Sequence, residues 1–104
     1  MKLGDVRGVA LASVVPALTM AWCAAAYRMI GKDALVCSAE TAGSLFEADY
    51  PNPHEIGADR VADAVAAKAL YGAPVIVVDF GTATNMEVVD ADGRFIGGVI
   101  APGV

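Results

Sequence analysis

Apolar residues run almost without a break from Gly8 to Val15 and stop at Pro16, a pattern that suits a buried parallel strand better than an alternating surface one. After Pro16 the period changes. Leu18, Ala21, Trp22, Ala25 and Met29 recur at helical spacing as far as Ile30, with Pro16 at the start and Gly31 as the stop. This stripe predicts core packing. Ala34–Cys37 reads as a second short strand, so the pieces form a parallel β-α-β unit whose crossover is expected to be right-handed. Residues 40–55 read as irregular or partly helical, with "YPNPH" held extended by Pro51 and Pro53. A second long helix is predicted from about Ala58 to Leu70, with Val61, Val65 and Leu70 on its apolar side and Gly72 and Pro74 ending it.

Val75–Phe80 is the most strand-like run of the chain and reads as a buried strand. Thr84–Val89 and Arg94–Ile100 flank Asp90-Ala91-Asp92-Gly93 and predict an antiparallel hairpin. The Asp-x-Asp-Gly fragment lacks the remaining ligands of a calcium loop, so it reads as a plain turn.

Composition narrows the class. With 104 residues, 57% of them hydrophobic, the chain can bury one modest core. The net charge of −5 and the scatter of seven Lys and Arg exclude a phosphate-tracking surface, so neither nucleic acid nor an anionic membrane is expected as a partner. Ser13, Pro16 and Thr19 interrupt the longest apolar stretch, and Asp5 and Arg7 spoil the flank a secretory leader needs. A cytoplasmic location is expected. Cys23 and Cys37 sit in no C-x-x-C pair and read as reduced core thiols.

Chemistry concentrates in three places. Asp79 ends the strongest strand and leads into Gly81-Thr82-Ala83-Thr84, where glycine admits a close backbone approach and the threonines add hydroxyls to the turn amides. A carboxylate beside phosphate requires a cation between them; the alternative is that Asp79 caps its own turn. "GADR", Gly57 to Arg60, opens a helix, where Arg60 can grip a carboxylate in two-pronged fashion and Asp59 can accept a proton from an alcohol. The simpler reading makes Asp59 an N-cap. Gly97, Gly98 and Gly103 either let a flat ring approach the backbone or are ordinary loop glycines.

In order and with matching intervals, "ASVVP", "YPNPHEIGADR", "YGAPVIVVDFGTAT" and "DGRFIGGVIAPG" resemble the type III pantothenate kinases over nearly the whole chain. The resemblance implies a two-domain α/β fold of the ribonuclease H-like, actin-like ATPase type. Residues 1–73 would be the end of the first domain and 74–104 the opening strands of the second. No Asp-x-Gly-Asn-Thr phosphate loop precedes Val9, so the chain is expected to be an internal piece, inactive alone.

The activity implied is ATP-dependent phosphorylation of pantothenate, the first step of coenzyme A biosynthesis. By resemblance Asp59 is the catalytic base, within a Gly57-Ala58-Asp59-Arg60 loop that holds pantothenate, and Tyr50 contacts the substrate. Asp79 matches the ligand of a monovalent cation, potassium or ammonium; Gly81 and Thr82 belong to the ATP phosphate turn, and Gly97, Gly98 and Gly103 lie near the nucleotide. Mg2+ accompanies ATP, and a homodimer is implied for the complete protein. "TNME", Thr84 to Glu87, departs from the family, which more often has a second threonine and an apolar residue there. Two other readings remain: another phosphotransferase of the same superfamily, or a non-catalytic remnant that binds a partner.

Overall fold

In the computed structural model, which describes residues 2–103, the first apolar run pairs over only two residues. Strand β1 is Ala10–Leu11; helix α1, Pro16–Ile30, leads to β2, Leu35–Val36. The strands are parallel, with Ala10 opposite Leu35 and Leu11 opposite Val36. Local chemistry sets the helix ends. Pro16 occupies the first turn, where an amide has no intrahelical partner, and Gly31 closes the helix at φ 70°, donating its N–H to the Tyr27 carbonyl.

The expected core stripe of α1 lies open instead. The helix contains no buried residue, and Leu18 and Trp22 are 53% and 61% exposed. A sheet of two short strands is too narrow to cover a helix of this length, and the predicted strands Gly8–Val15 and Ala34–Cys37 shrink for want of neighbours to pair with. Cys23 and Cys37 are free, as expected, but only partly buried.

A short helix, α2 (Ala39–Ala42), is closed by reciprocal Ser38 and Thr41 bonds: Ser38 Oγ accepts from the Thr41 N–H at 3.0 Å, and Thr41 Oγ1 from the Ser38 N–H at 2.8 Å. Then follows β3, Glu47–Ala48, which the sequence pattern did not predict. Helix α3 spans Ala58–Tyr71 and buries Val61, Ala64 and Ala67, whereas Leu70, expected on its apolar side, is 74% exposed.

Strands β4 (Val75–Phe80), β5 (Ala83–Val89) and β6 (Arg94–Pro102) form an antiparallel meander, and β3 joins its edge parallel to β6, giving the order β3-β6-β5-β4. The β5–β6 turn is a plain one: Asp90 Oδ1 accepts from the amides of Asp92 and Arg94, both at 3.0 Å. Gly93 turns the chain at φ 80°.

Helix α3 packs on β4 and β5, and Phe46, Ile56, Val61, Ala64, Val89 and Phe95 make the core. Phe46 and Phe95 meet with ring centroids 5.5 Å apart. The core thus draws on residues from both sides of position 74. β4 is not buried on both faces as predicted. Val75, Val77 and Asp79 are half-buried on the helix side, while Ile76, Val78 and Phe80 alternate with them on an open face.

Burial therefore ranks two large aromatics in opposite order of effect. Phe95→Ala is expected to cost about 3–5 kcal/mol, and Trp22→Ala within about 0.5 kcal/mol of nothing. Urea denaturation followed by circular dichroism checks both; equal losses would mean that α1 packs into a core.

Candidate active site

Gly57, the N-cap of α3, sets the geometry of the site. A Cβ at this position would lie 2.8 Å from Asp59 Oδ1 and 3.4 Å from Val14 Cγ1, so glycine lets the Asp59 carboxylate fold back over the helix start. The Gly57 carbonyl accepts the amides of Arg60 and Val61 at 3.0 and 3.1 Å, which places Ala58, Asp59 and Arg60 in the first turn. Asp59 is not the cap. Its Oδ2 instead accepts a bond from Asn85 Nδ2 of β5 at 3.3 Å.

Arg60 turns toward the same strand. Its Nε donates to Glu87 Oε1 at 3.0 Å, its Nη2 donates to the Met86 carbonyl at 3.3 Å, and its guanidinium lies 5.6 Å from the centre of the Phe95 ring. Asn85 and Glu87 sit two residues apart on β5 and so share the face toward α3. Gly98 lies opposite Glu87 on β6, where any Cβ would strike the Met86 carbonyl and the Arg60 guanidinium.

Asp79, directly across from Asn85, completes a crowd of acids. Its carboxyl meets Asp63, one turn beyond Asp59 on α3, rather than its own turn, which is closed by the Gly81 N–H donating to the Ala83 carbonyl at 3.0 Å. Burial pushes the Asp63 carboxyl up from 3.8 to about 7, reinforced by the Asp79 carboxyl and by the charges of Glu87 and Asp59. Asp63 Oδ2 is buried with no hydrogen-bond partner, which disfavours the charged form of this carboxyl. Burial also raises the Glu87 carboxyl, with the bond to Arg60 pulling it back down.

The remaining predicted residues fall into three groups. Tyr50 stands at the border of the cluster, its ring edge-on to Phe95 with centroids 6.2 Å apart. Gly81 and Thr82 are exposed just past the end of β4, and Gly103 packs so closely on their carbonyls that no side chain fits there. Gly97, with φ 141°, approaches nothing, so it forms no part of this constellation.

The donors here are carboxylate and carbonyl oxygens, the hard set that suits potassium or magnesium. Among the described residues no group of three or more His, Cys, Asp or Glu is arranged to hold one ion. Asp63, Asn85 and Glu87 are the site residues that sequence reasoning missed. Two signals pointed to them: Asp63 repeats Asp59 at i+4 on one helix face, and Asn85 and Glu87 alternate in β5, inside the "TNME" departure.

Sequence similarity assigns this α/β segment, with its carboxylates and one guanidinium gathered between a helix start and a strand, to a family. The sequence profile of the type III pantothenate kinases matches residues 1–104. The type III pantothenate kinase of Thermomicrobium roseum is 48% identical over 104 residues, covering 99% of this chain, and that of Moorella thermoacetica 41% identical over 104 residues, covering 100%. The Agathobacter rectalis enzyme is 63% identical over 54 residues, 52% of the chain. The chain belongs to the type III pantothenate kinase family. It spans 39% of the Thermomicrobium roseum relative and 41% of the Moorella thermoacetica one.

Because the Asp63 carboxyl is raised in the fold, its contribution to stability is complete below about pH 4 and lost as pH rises through about 7. Asp63→Asn keeps the shape and gives Asp79 an N–H donor, so the variant should lose less stability than its parent between pH 4 and pH 8. Urea midpoints across that range measure the difference; parallel curves would show that Asp63 carries no raised proton.

Proposed function

We propose that this chain forms the substrate-binding and catalytic-base part of a kinase that transfers the γ-phosphoryl group of ATP to the primary hydroxyl of pantothenate, opening coenzyme A biosynthesis. Family membership supports the reaction. The observation that carries the residue assignment is the first turn of α3, where Asp59 and Arg60 stand side by side against β5.

Asp59 accepts the hydroxyl proton as the alcohol attacks. Its bond from Asn85 fixes the carboxylate plane while leaving Oδ1 for the substrate. Arg60 takes the pantothenate carboxylate, with Gly57, Ala58 and Tyr50 shaping the pocket. Gly81 admits the nucleotide phosphates close to the turn and Thr82 meets them with its amide and hydroxyl, beside the strand end that carries Asp79. Mg2+ and a potassium or ammonium ion at Asp79, when bound, offset phosphate charge. Gly98 and Gly103 keep the walls of this region to bare backbone; Gly97 remains a nucleotide-side position by resemblance alone.

The same reading divides the protein into two actin-like ATPase domains meeting near residue 74, and makes the complete enzyme a cytoplasmic homodimer that uses neither membrane nor nucleic acid. No helix among the described residues is long and apolar enough to cross a membrane.

A hybrid in which residues 1–104 replace the matched segment of the Thermomicrobium roseum relative provides a complete cleft for testing. Asp59→Asn in that hybrid should lower turnover about 10²–10⁴-fold with ATP binding nearly intact; a variant of undiminished rate overturns the base assignment. Asp79→Asn should flatten the dependence of rate on potassium concentration, and an unaltered potassium curve would remove Asp79 as the cation ligand. The 104 residues alone should transfer no phosphate from labelled ATP, since a phosphoryl-transfer cleft needs groups on both sides of the phosphates.

A further inference from the structure

Glu87 is the one fully buried charged side chain among the described residues, and its Oε2 has no hydrogen-bond partner. An apolar side chain of similar volume would fill this place in the core at less cost, because a buried ion pair rarely repays the desolvation of both charges. Packing alone therefore gives no reason for a carboxylate here. What Glu87 contacts supplies one: Arg60, the residue that on the reading above grips the substrate.

We propose that Glu87 is a positioning residue that fixes the Arg60 guanidinium for a carboxylate ligand and so sets the preference for a substrate bearing that charge. Arginine has five N–H donors; one Nε and one Nη2 hydrogen are spent on Glu87 Oε1 and the Met86 carbonyl. Those bonds lie on one edge of the planar fork, and the Nη1 side stays free for the two-pronged grip of an incoming carboxylate. The Phe95 ring packs against the guanidinium, and Gly98, with no Cβ, admits it to this place beside β6. Without Glu87 the long Arg60 side chain loses its bond at Nε and regains its rotamers. The strand that begins at the Gly81–Thr82 turn thereby also fixes the substrate end of the cleft.

This inference rests on the pantothenate reading, and its test separates the two. In the Thermomicrobium roseum hybrid, Glu87→Gln and the apolar isostere Glu87→Met are compared with Arg60→Met. The readouts are kcat and KM for pantothenate and the inhibition constant of pantothenyl alcohol, which carries a hydroxymethyl group where pantothenate has its carboxylate. Both Glu87 variants should raise KM about tenfold, with kcat within about threefold and the alcohol bound as before, so that the preference for the carboxylate collapses. A structural role would weaken both ligands alike or shift only the melting temperature. If Arg60→Met abolishes the preference and the Glu87 variants keep it, Glu87 does not position Arg60. If Arg60→Met also keeps it, Arg60 is not the carboxylate grip, and both readings fall.

Discussion

Four carboxylates, those of Asp59, Asp63, Asp79 and Glu87, gather where α3 meets β4 and β5, and one guanidinium stands among them. That imbalance is the constraint around which this end of the molecule is built. Glu87 can lie fully buried only because Arg60 reaches it at 3.0 Å. Burial and the neighbouring carboxylates raise the Asp63 carboxyl to about 7, which favours its neutral form beside Asp79. Asp59 gains from the partial positive charge of the helix start and from the Asn85 amide. Each acid thus has a different remedy, and the remedies differ in what they leave available: the Asn85 bond falls on Oδ2 of Asp59, next to an Arg60 held by Glu87.

Outside this cluster the packing is one-sided. Helix α3 covers one face of the meander, while Ile76, Val78, Phe80, Met86 and Val99 line the other in the open, and the apolar stripe of α1 is equally bare. Apolar surface on this scale calls for cover. The clustered residues themselves depend on the covered face, where Asn85, Glu87 and Val89 alternate on the α3 side of β5.

Much of this was legible in the chain. Pro16 and Gly31 marked the limits of α1, and Asp90-Ala91-Asp92-Gly93 marked the hairpin, because proline, glycine and aspartate act through their own backbone preferences. The family resemblance carried by "GADR" and the other motifs is matched over residues 1–104. Periodicity failed where tertiary partners decide the outcome. The spacing of Leu18, Trp22 and Met29 is that of a core helix, yet burial depends on a neighbour that a two-stranded sheet does not provide. The two-residue β3 was invisible for a related reason, and the i+4 spacing of Asp63 gave its helix face without its neighbour: pairing with β6 and proximity to Asp79 join segments more than a dozen residues apart. Glu87 reads as a surface charge in any local window and becomes a core residue only through Arg60.

If substrate and base meet at the start of α3 as proposed, a crystal structure of the Thermomicrobium roseum hybrid with pantothenate and a non-hydrolysable ATP analogue shows it most directly. The pantothenate carboxylate should lie on the free Nη edge of Arg60, with its primary hydroxyl about 2.6–3.2 Å from an Asp59 oxygen and the terminal phosphate facing the Gly81–Thr82 turn. Pantothenate seated away from the start of α3, or with its hydroxyl turned from Asp59 and its carboxylate in solvent, would contradict the central claim.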